Sequence, residues 1–365
     1  MMKNMKKSNL IILGMVFLSF GCTENYIDEI IPVAQGTDIT APQVTIEFPS
    51  EGTLIRVTED VTAINIKFEV MDDIEVESIS LKLNGNEIAK YNDFKDYRRV
   101  IKEHLHENLG NGAHTLVVEA RDLSGKTTTK TVNFEKVEPY KPMYDGETFY
   151  LPFDGDYMEL INIKNANVNG NPGFANGLIG RAYDGASNAY LTFPTTNLLS
   201  SEFSAVFWYK INAAPDRAGI LVVGPPDTNN PNNMNNRSGG FRFFREGSGT
   251  NQTFKLNIGN GSGDNWFDGG AAASINPSTN TDWVHLAFTI SETNASVYIN
   301  GQKVSGGDFP GVNWTGCDVL SIASGAPRFA EWGHLSDGSL FDELRLFNKA
   351  LTQEEVQNII DAEKP

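Results

Sequence analysis

The stretch FDELRLFNKALTQEEV, residues 341–356, changes its period halfway along. Phe341, Leu344, Leu346 and Phe347 read as part of a buried strand, whereas Thr352, with Glu355 three residues later, is the start signature of an amphipathic helix. Almost no other segment reads as a long helix, so the pattern predicts a β-domain closed by one short helix after its last strand. Upstream, short apolar runs are separated by Asn, Ser and Thr among 34 Gly and 16 Pro, the composition of a chain with many turns and hence an all-β fold. A length of 365 residues with 40% hydrophobic side chains allows two or three domains, each with its own core.

Working back from that stretch, SETN joins the strands DWVHLAFTI and ASVYINGQKV, and Asn300-Gly301 is a tight-turn signal leading to a third. Trp208 and Trp283 lie inside alternating strands and read as core, as does His285. From ETFYLPFDGD through GLIGRAYDGASNAYLTF, SEFSAVFWYKI and DWVHLAFTISETNASVYINGQKV to the closing stretch, the successive signatures resemble a concanavalin A-like, laminin-G-type (LamG) jelly roll over residues 146–365. In that family a strand carrying Asp-Asp or Asp-Glu leads to a short closing helix. Residues 42–137 alternate in period two through VTIEF, INIKFEVMD, SISLKLNG, HTLVVEARD and KTVNFEK, the pattern of a smaller β-sandwich. They resemble a bacterial immunoglobulin-like module, with Ala120, Asp122 and Gly125 in its closing turn. The resemblance implies a spacer, joined to the jelly roll by a linker at 138–145.

Residues 1–22 have the layout of a secretory signal: Lys3, Lys6 and Lys7, an apolar run from Leu10 to Phe20, then Gly21 and Cys22. Gly21-Cys22 resembles the lipobox of bacterial lipoproteins, which implies acylation of Cys22. The tether at 23–41 carries Glu24, Asp28 and Glu29 and resembles acidic export tags of surface lipoproteins. Together these imply a lipid-anchored protein of the outer membrane that faces the cell exterior. With Cys22 acylated, Cys317 is the one other cysteine and no intramolecular disulfide forms. A formal charge of −17 excludes a nucleic-acid partner, because nothing neutralises a phosphate backbone.

Loops carry function where strands carry the core. Trp266 and Phe267 lie in GNGSGDNWFDGG, Trp314 in FPGVNWTG and Trp332 in FAEWGHLSDG, all polar, Gly-rich settings outside any alternating pattern. Such rings suit a sugar-binding surface, where a flat indole offers area to a pyranose while amides, carboxylates and guanidinium groups bond the hydroxyls. Arg237, Arg242 and Arg245 are candidate donors. Asp154, Asp156, Asp342 and Glu343 are candidate ligands of a structural Ca²⁺, since the first and last strands of a jelly roll run close together. The Glu-x-Asp-x-x-Glu spacing of laminarinase-type hydrolases does not occur, and no nucleophile elbow or zinc-ligand cluster is present. The sequence therefore points to a non-catalytic protein that captures oligo- or polysaccharide for neighbouring glycan-uptake proteins. An adhesin for host or matrix protein is the alternative, and a glycoside hydrolase follows behind it.

Overall fold

The structure is a computed structural model and describes residues 36–364, so Cys22, the signal segment and most of the tether lie outside the described residues. Nearly every regular element is a strand, and the strands make two successive sandwiches.

The first sandwich faces a three-stranded sheet, built from Gln43–Phe48, Thr62–Met71 and Arg99–Leu109, against a five-stranded one that includes Val76–Leu83, Gly112–Asp122 and Thr127–Lys136. Alternation decides which side chains meet. Ile64, Ile66, Phe68 and Val70 point inward from one sheet and are buried against Ile79, Leu81, Leu116 and Val118 of the other. The turn after Gly112–Asp122 is held by the Asp122 carboxylate, which accepts from the Ser124 hydroxyl at 2.9 Å and the Lys126 amide at 2.8 Å, with Gly125 at φ +88°.

The second sandwich packs two eight-stranded sheets. Its core is aromatic: Phe203, Phe207, Phe241, Phe243, Phe254, Phe288 and Phe341 are all fully buried between the sheets, each worth about 1.5–3 kcal/mol relative to exposure. The Asn300-Gly301 turn forms as its residues require, both at positive φ, between Asn294–Ile299 and Gln302–Asp308.

The decisive stretch occupies the middle of one sheet. Leu340–Phe347 pairs with Phe203–Lys210, Arg181–Asp184 and Glu147–Leu151. A bulge opposite Val206 and Trp208, with Glu343 at φ +52°, shifts the alternation by one residue. Phe341, Leu344 and Leu346 consequently face the core, while Arg345 faces outward with the two adjacent acids, Asp342 and Glu343. After that strand, Thr352 caps the helix Gln353–Glu363 with both bonds of a capping box, its hydroxyl accepting from the Glu355 amide at 3.2 Å and its own amide donating to the Glu355 carboxylate at 2.8 Å.

The helix covers the outer face of this sheet, burying Val356, Ile359 and Ile360 against Val206, Trp208, Ala287, Tyr298 and Phe347. Its last residues are pinned by Glu363, which accepts from Trp208 Nε1 at 2.8 Å and Arg345 Nε at 2.8 Å. Arg345 also donates to Glu147 at 2.6 Å and Glu343 at 2.9 Å, so one buried guanidinium joins the first strand, the last strand and the helix. Among the described residues no helix is long and apolar enough to cross a membrane.

Candidate functional site

The other sheet of the second sandwich has no helix on its outer face. Three neighbouring strands, Phe241–Ser248, Asn251–Gly259 and the edge strand Asp264–Asp268, pair so that Arg242, Asn257 and Trp266 form one outward row and Phe244, Lys255 and Asp268 the next. Sequence reading placed Trp266 on a loop; it stands on this short edge strand. DNWFD hides its period because a strand with one solvated face and polar residues at both ends shows a single inward apolar side chain, Phe267.

Two loops fold onto this face. Residues 325–337 bring Phe329 onto Phe244 at 5.3 Å between ring centroids, and His334 stacks on Phe329 at 4.6 Å and 12°. His334 Nε2 lies 3.0 Å from Glu246, and burial pushes its pKa down to about 4, so the ring is neutral at ordinary pH. Trp332 sits above this cluster, 5.7 Å from Phe329. It lies alongside Trp266, the two indoles 5.9 Å apart and only 20° from parallel. Trp266 remains 42% exposed.

The Asn-rich segment 224–240 supplies Arg237, whose guanidinium lies 4.7 Å from the Trp332 ring centre and 5.7 Å from that of Trp266. Its charge is answered by Asp264 at 3.2 Å, and Asp264 in turn accepts from Asn257 at 2.7 Å. On the other flank, Lys255 bridges Glu246 at 3.1 Å and Asp268 at 2.9 Å. Burial works against ionisation of both carboxylates, but the hydrogen bond and charge of Lys255 outweigh it and hold both below the usual carboxylate range.

The structure thus brings together Trp266, Trp332 and Arg237. It separates the others. Phe267 is the inward neighbour of Trp266 and belongs to the core, 6% exposed, because adjacent residues of a strand face opposite ways. Trp314 caps the sandwich from one end: its ring packs on Phe203 and Phe241, and its Nε1 donates to the Ser200 carbonyl at 2.7 Å. Arg242 is fully buried and braces the Asn-rich loop through the carbonyls of Gly239, at 2.8 Å, and Asn236; burial lowers its pKa to about 10. Arg245 is buried among Tyr209, Gln252 and Asp337. Neither guanidinium is available to a ligand. Sequence reading did not single out Asn257, Glu246, Lys255 or His334. Two-residue spacing along strands marks the first three, a weak signal in polar segments, and His334 lies in a loop that carries no such mark.

The four carboxylates read as Ca²⁺ ligands do not converge as a set. Asp156 pairs with Arg56 of the first sandwich, and Glu343 is taken by Arg345 and by the Tyr150 hydroxyl at 2.8 Å. Asp342 differs. It is fully buried, one carboxylate oxygen accepts from the amides of Leu178 at 2.7 Å and Ile179 at 3.1 Å, and Oδ1 has no partner. Burial, with the charges of Glu343 and Asp154 adding to it, pushes its pKa up to about 8. Gly180, at φ +55°, leaves the room that Asp154 occupies, where a Cβ would collide with the carboxylate. Asp342 thus keeps one buried carboxylate oxygen without a partner, near Asp154, whose Oδ1 accepts from the Arg181 amide at 2.8 Å, whereas arginines already engage Asp156 and Glu343. Among the described residues, the three acids that do lie together are Asp38, Asp72 and Asp73 in the first sandwich, and Lys126 sits 2.8 Å from Asp38 there.

Residues 184–357 match the family model of the concanavalin A-like lectin/glucanases superfamily, Laminin_G_3, a match that falls within the second sandwich. No curated protein matches the chain. Among solved structures, domain 4 of AbnA, a GH43 extracellular arabinanase from Geobacillus stearothermophilus in complex with arabinotriose, is 23% identical with a TM-score of 0.44, covering 58% of this chain and 97% of that one. The binding domain of botulinum neurotoxin DC in complex with SialylT is 15% identical with a TM-score of 0.42, covering 60% and 51%. The binding domain of Paraclostridial Mosquitocidal Protein 1 is 15% identical with a TM-score of 0.42, covering 60% and 52%. The chain spans about half the length of the two toxin domains it matches, and likenesses at these scores say nothing about what it binds.

Proposed function

We propose that the concanavalin A-like domain carried by residues 184–357 binds carbohydrate on its helix-free face. The observation that carries this is the pair of near-parallel indoles, Trp266 and Trp332, fixed on a sheet and bordered by Arg237, Asn257 and Asp264. An exposed ring of this size on a rigid strand offers apolar area without ordering cost, and the carboxylates beside it accept from hydroxyls.

The reading is non-catalytic. Glu246 and Asp268 share Lys255, which suggests a hydrolytic pair, but glycoside hydrolysis needs one carboxylic acid with a raised pKa to protonate the leaving group. Lys255 lowers both. The purified chain is expected to be retarded in gels containing its polysaccharide without releasing reducing ends, and Trp266→Ala is expected to weaken binding tenfold to hundredfold, about 1–3 kcal/mol. Retardation of Trp266→Ala equal to wild type on every glycan tested overturns the assignment. Retention of a host or matrix protein instead, with the same dependence on Trp266, favours the adhesin reading.

The first sandwich serves, in this reading, as a spacer between a lipid at Cys22 and the binding domain, and the protein presents captured glycan to neighbouring uptake proteins at the outer membrane. Cys22→Ala is expected to abolish fatty-acid labelling and release the chain from membranes; labelling that persists removes the anchor. A Ca²⁺ held by Asp342 and Asp154 would be structural, supplying charge that lets the buried Asp342 ionise.

A further inference from the structure

We infer that the site takes an internal stretch of a linear, uncharged polysaccharide lying along the edge strand Asp264–Asp268, not a chain end. The inference rests on the carbohydrate reading above and specifies its ligand.

Asp264, Trp266 and Asp268 alternate onto the same face of this strand, the two acids joined to Asn257 and Lys255 of the neighbouring strand. At a rise of about 3.4 Å per residue the three span about 14 Å, a length that takes a few consecutive sugar rings. An open cleft lies at each end. One, of about 400 Å³, is bordered by Asp227, Asn229, Asn236, Arg237 and Asp264. The other, of about 310 Å³, is bordered by Glu246, Asn251, Lys255, Asp268 and Ser274. Asp264 belongs to the first and Asp268 to the second, so the exposed indole of Trp266 stands between them. A site for a chain end needs a wall on one side of the ring; here polar space continues on both.

The charges select among linear chains. The track carries Asp227, Glu246, Asp264 and Asp268, against Arg237, Lys255 and Arg217 at its rim. All three cations are already paired, Arg237 with Asp264, Lys255 with Glu246 and Asp268, and Arg217 with Glu246 at 3.8 Å and the Trp332 carbonyl at 3.0 Å. A uronate or sulfate would meet excess negative charge and no spare cation, whereas neutral hydroxyls find acceptors along the whole track.

The test is calorimetric titration of the full chain with gluco-, xylo- and manno-oligosaccharides of one to six units, beside their parent polymers, polygalacturonate and alginate. For the neutral series that binds, affinity is expected to rise at least tenfold from two units to four and then level off. Capping either end of the hexamer should change its affinity less than twofold. Asp264→Ala and Asp268→Ala should each weaken the hexamer threefold to tenfold and the dimer less than twofold. Trp266-dependent binding in which a single sugar matches the hexamer, or in which end-capping abolishes affinity, overturns the internal-chain inference and leaves the carbohydrate reading standing. Retention of the uronate polymers in preference to the neutral ones overturns the charge selection. Failure of every neutral glycan to bind overturns both the inference and the reading beneath it.

Discussion

Trp208 and Trp266 both project from the outer faces of the second sandwich, one from each sheet. Trp208 is 3% exposed, sealed beneath the helix Gln353–Glu363 with its Nε1 bonded to Glu363; Trp266 is 42% exposed, flanked by Trp332 and Arg237. The residue type is the same, but Trp208 stands on a central strand and Trp266 on an edge strand, and a different element is laid over each sheet. A helix with three apolar side chains seals the indole on one face, whereas the Asn-rich segment 224–240 and the loop 325–337 leave the other open between polar borders. Closure turns the first indole into core, and incomplete cover leaves the second free for a ligand.

The sharpest way to break this contrast is to truncate each ring. Trp208→Ala is expected to cost about 3–5 kcal/mol in urea unfolding, as for large-to-small changes in packed sites, and to leave a hydrogen-bonding oxygen of Glu363 unanswered. Trp266→Ala should cost no more than about 1 kcal/mol of stability, in the range of partly exposed positions. Equal losses would show that the two faces are equivalent and that Trp266 is structural.

A second test separates them by metal. Asp342 lies in the helix-side sheet, so Ca²⁺ held there should strengthen the fold without touching glycan affinity. At one hundred times the dissociation constant it should add about 2.7 kcal/mol. The melting temperature should fall with chelator, and Asp342→Asn should remove that response while the glycan titration stays as in wild type. A melting curve indifferent to chelator removes calcium, and a glycan affinity that follows it would join the two faces into one site.

The smallest effect concerns the helix start. Thr352→Ala removes the side-chain half of the capping box and should cost about 1 kcal/mol, read as a lower urea midpoint with unchanged slope. Binding to glycan should not change. If it does, the helix-side face reaches the open one through the core.

The parts of this contrast that were legible in the sequence are those set by local rules. The capping box at Thr352 and Glu355, the Asn300-Gly301 turn and the burial of Trp208, Trp283 partly and His285 wholly all follow from short-range pattern. The open face was legible through its aromatic residues and Arg237. Phe267 and Trp266 were read as one surface, although period two sends them to opposite sides. Trp314 looked solvent-facing because its partner, Ser200, is 114 residues away in the chain. Arg242 looked like a ligand donor because nothing local shows that the loop it braces will fold back over it. In each case the missing information was a long-range contact that determines what a polar segment covers.

The placement of Leu340–Phe347 has a consequence for the order in which the molecule is completed. This strand comes after all other described strands, yet it is flanked in its sheet by Phe203–Lys210 on one side and by Arg181–Asp184 and Glu147–Leu151 on the other. The contact from Thr148 to Leu346 closes a loop of 198 residues. During synthesis the first sandwich has all its strands once Lys136 has emerged, and it is free to fold at once. The second is divided down the middle of one sheet until its last strand arrives, and non-local pairing of this kind is slow. A nascent chain arrested after much of the second sandwich has emerged, but before Leu340–Phe347 is made, therefore carries a finished first sandwich followed by an open half-sheet, a state whose unpaired edges favour aggregation and clearance by proteases over function.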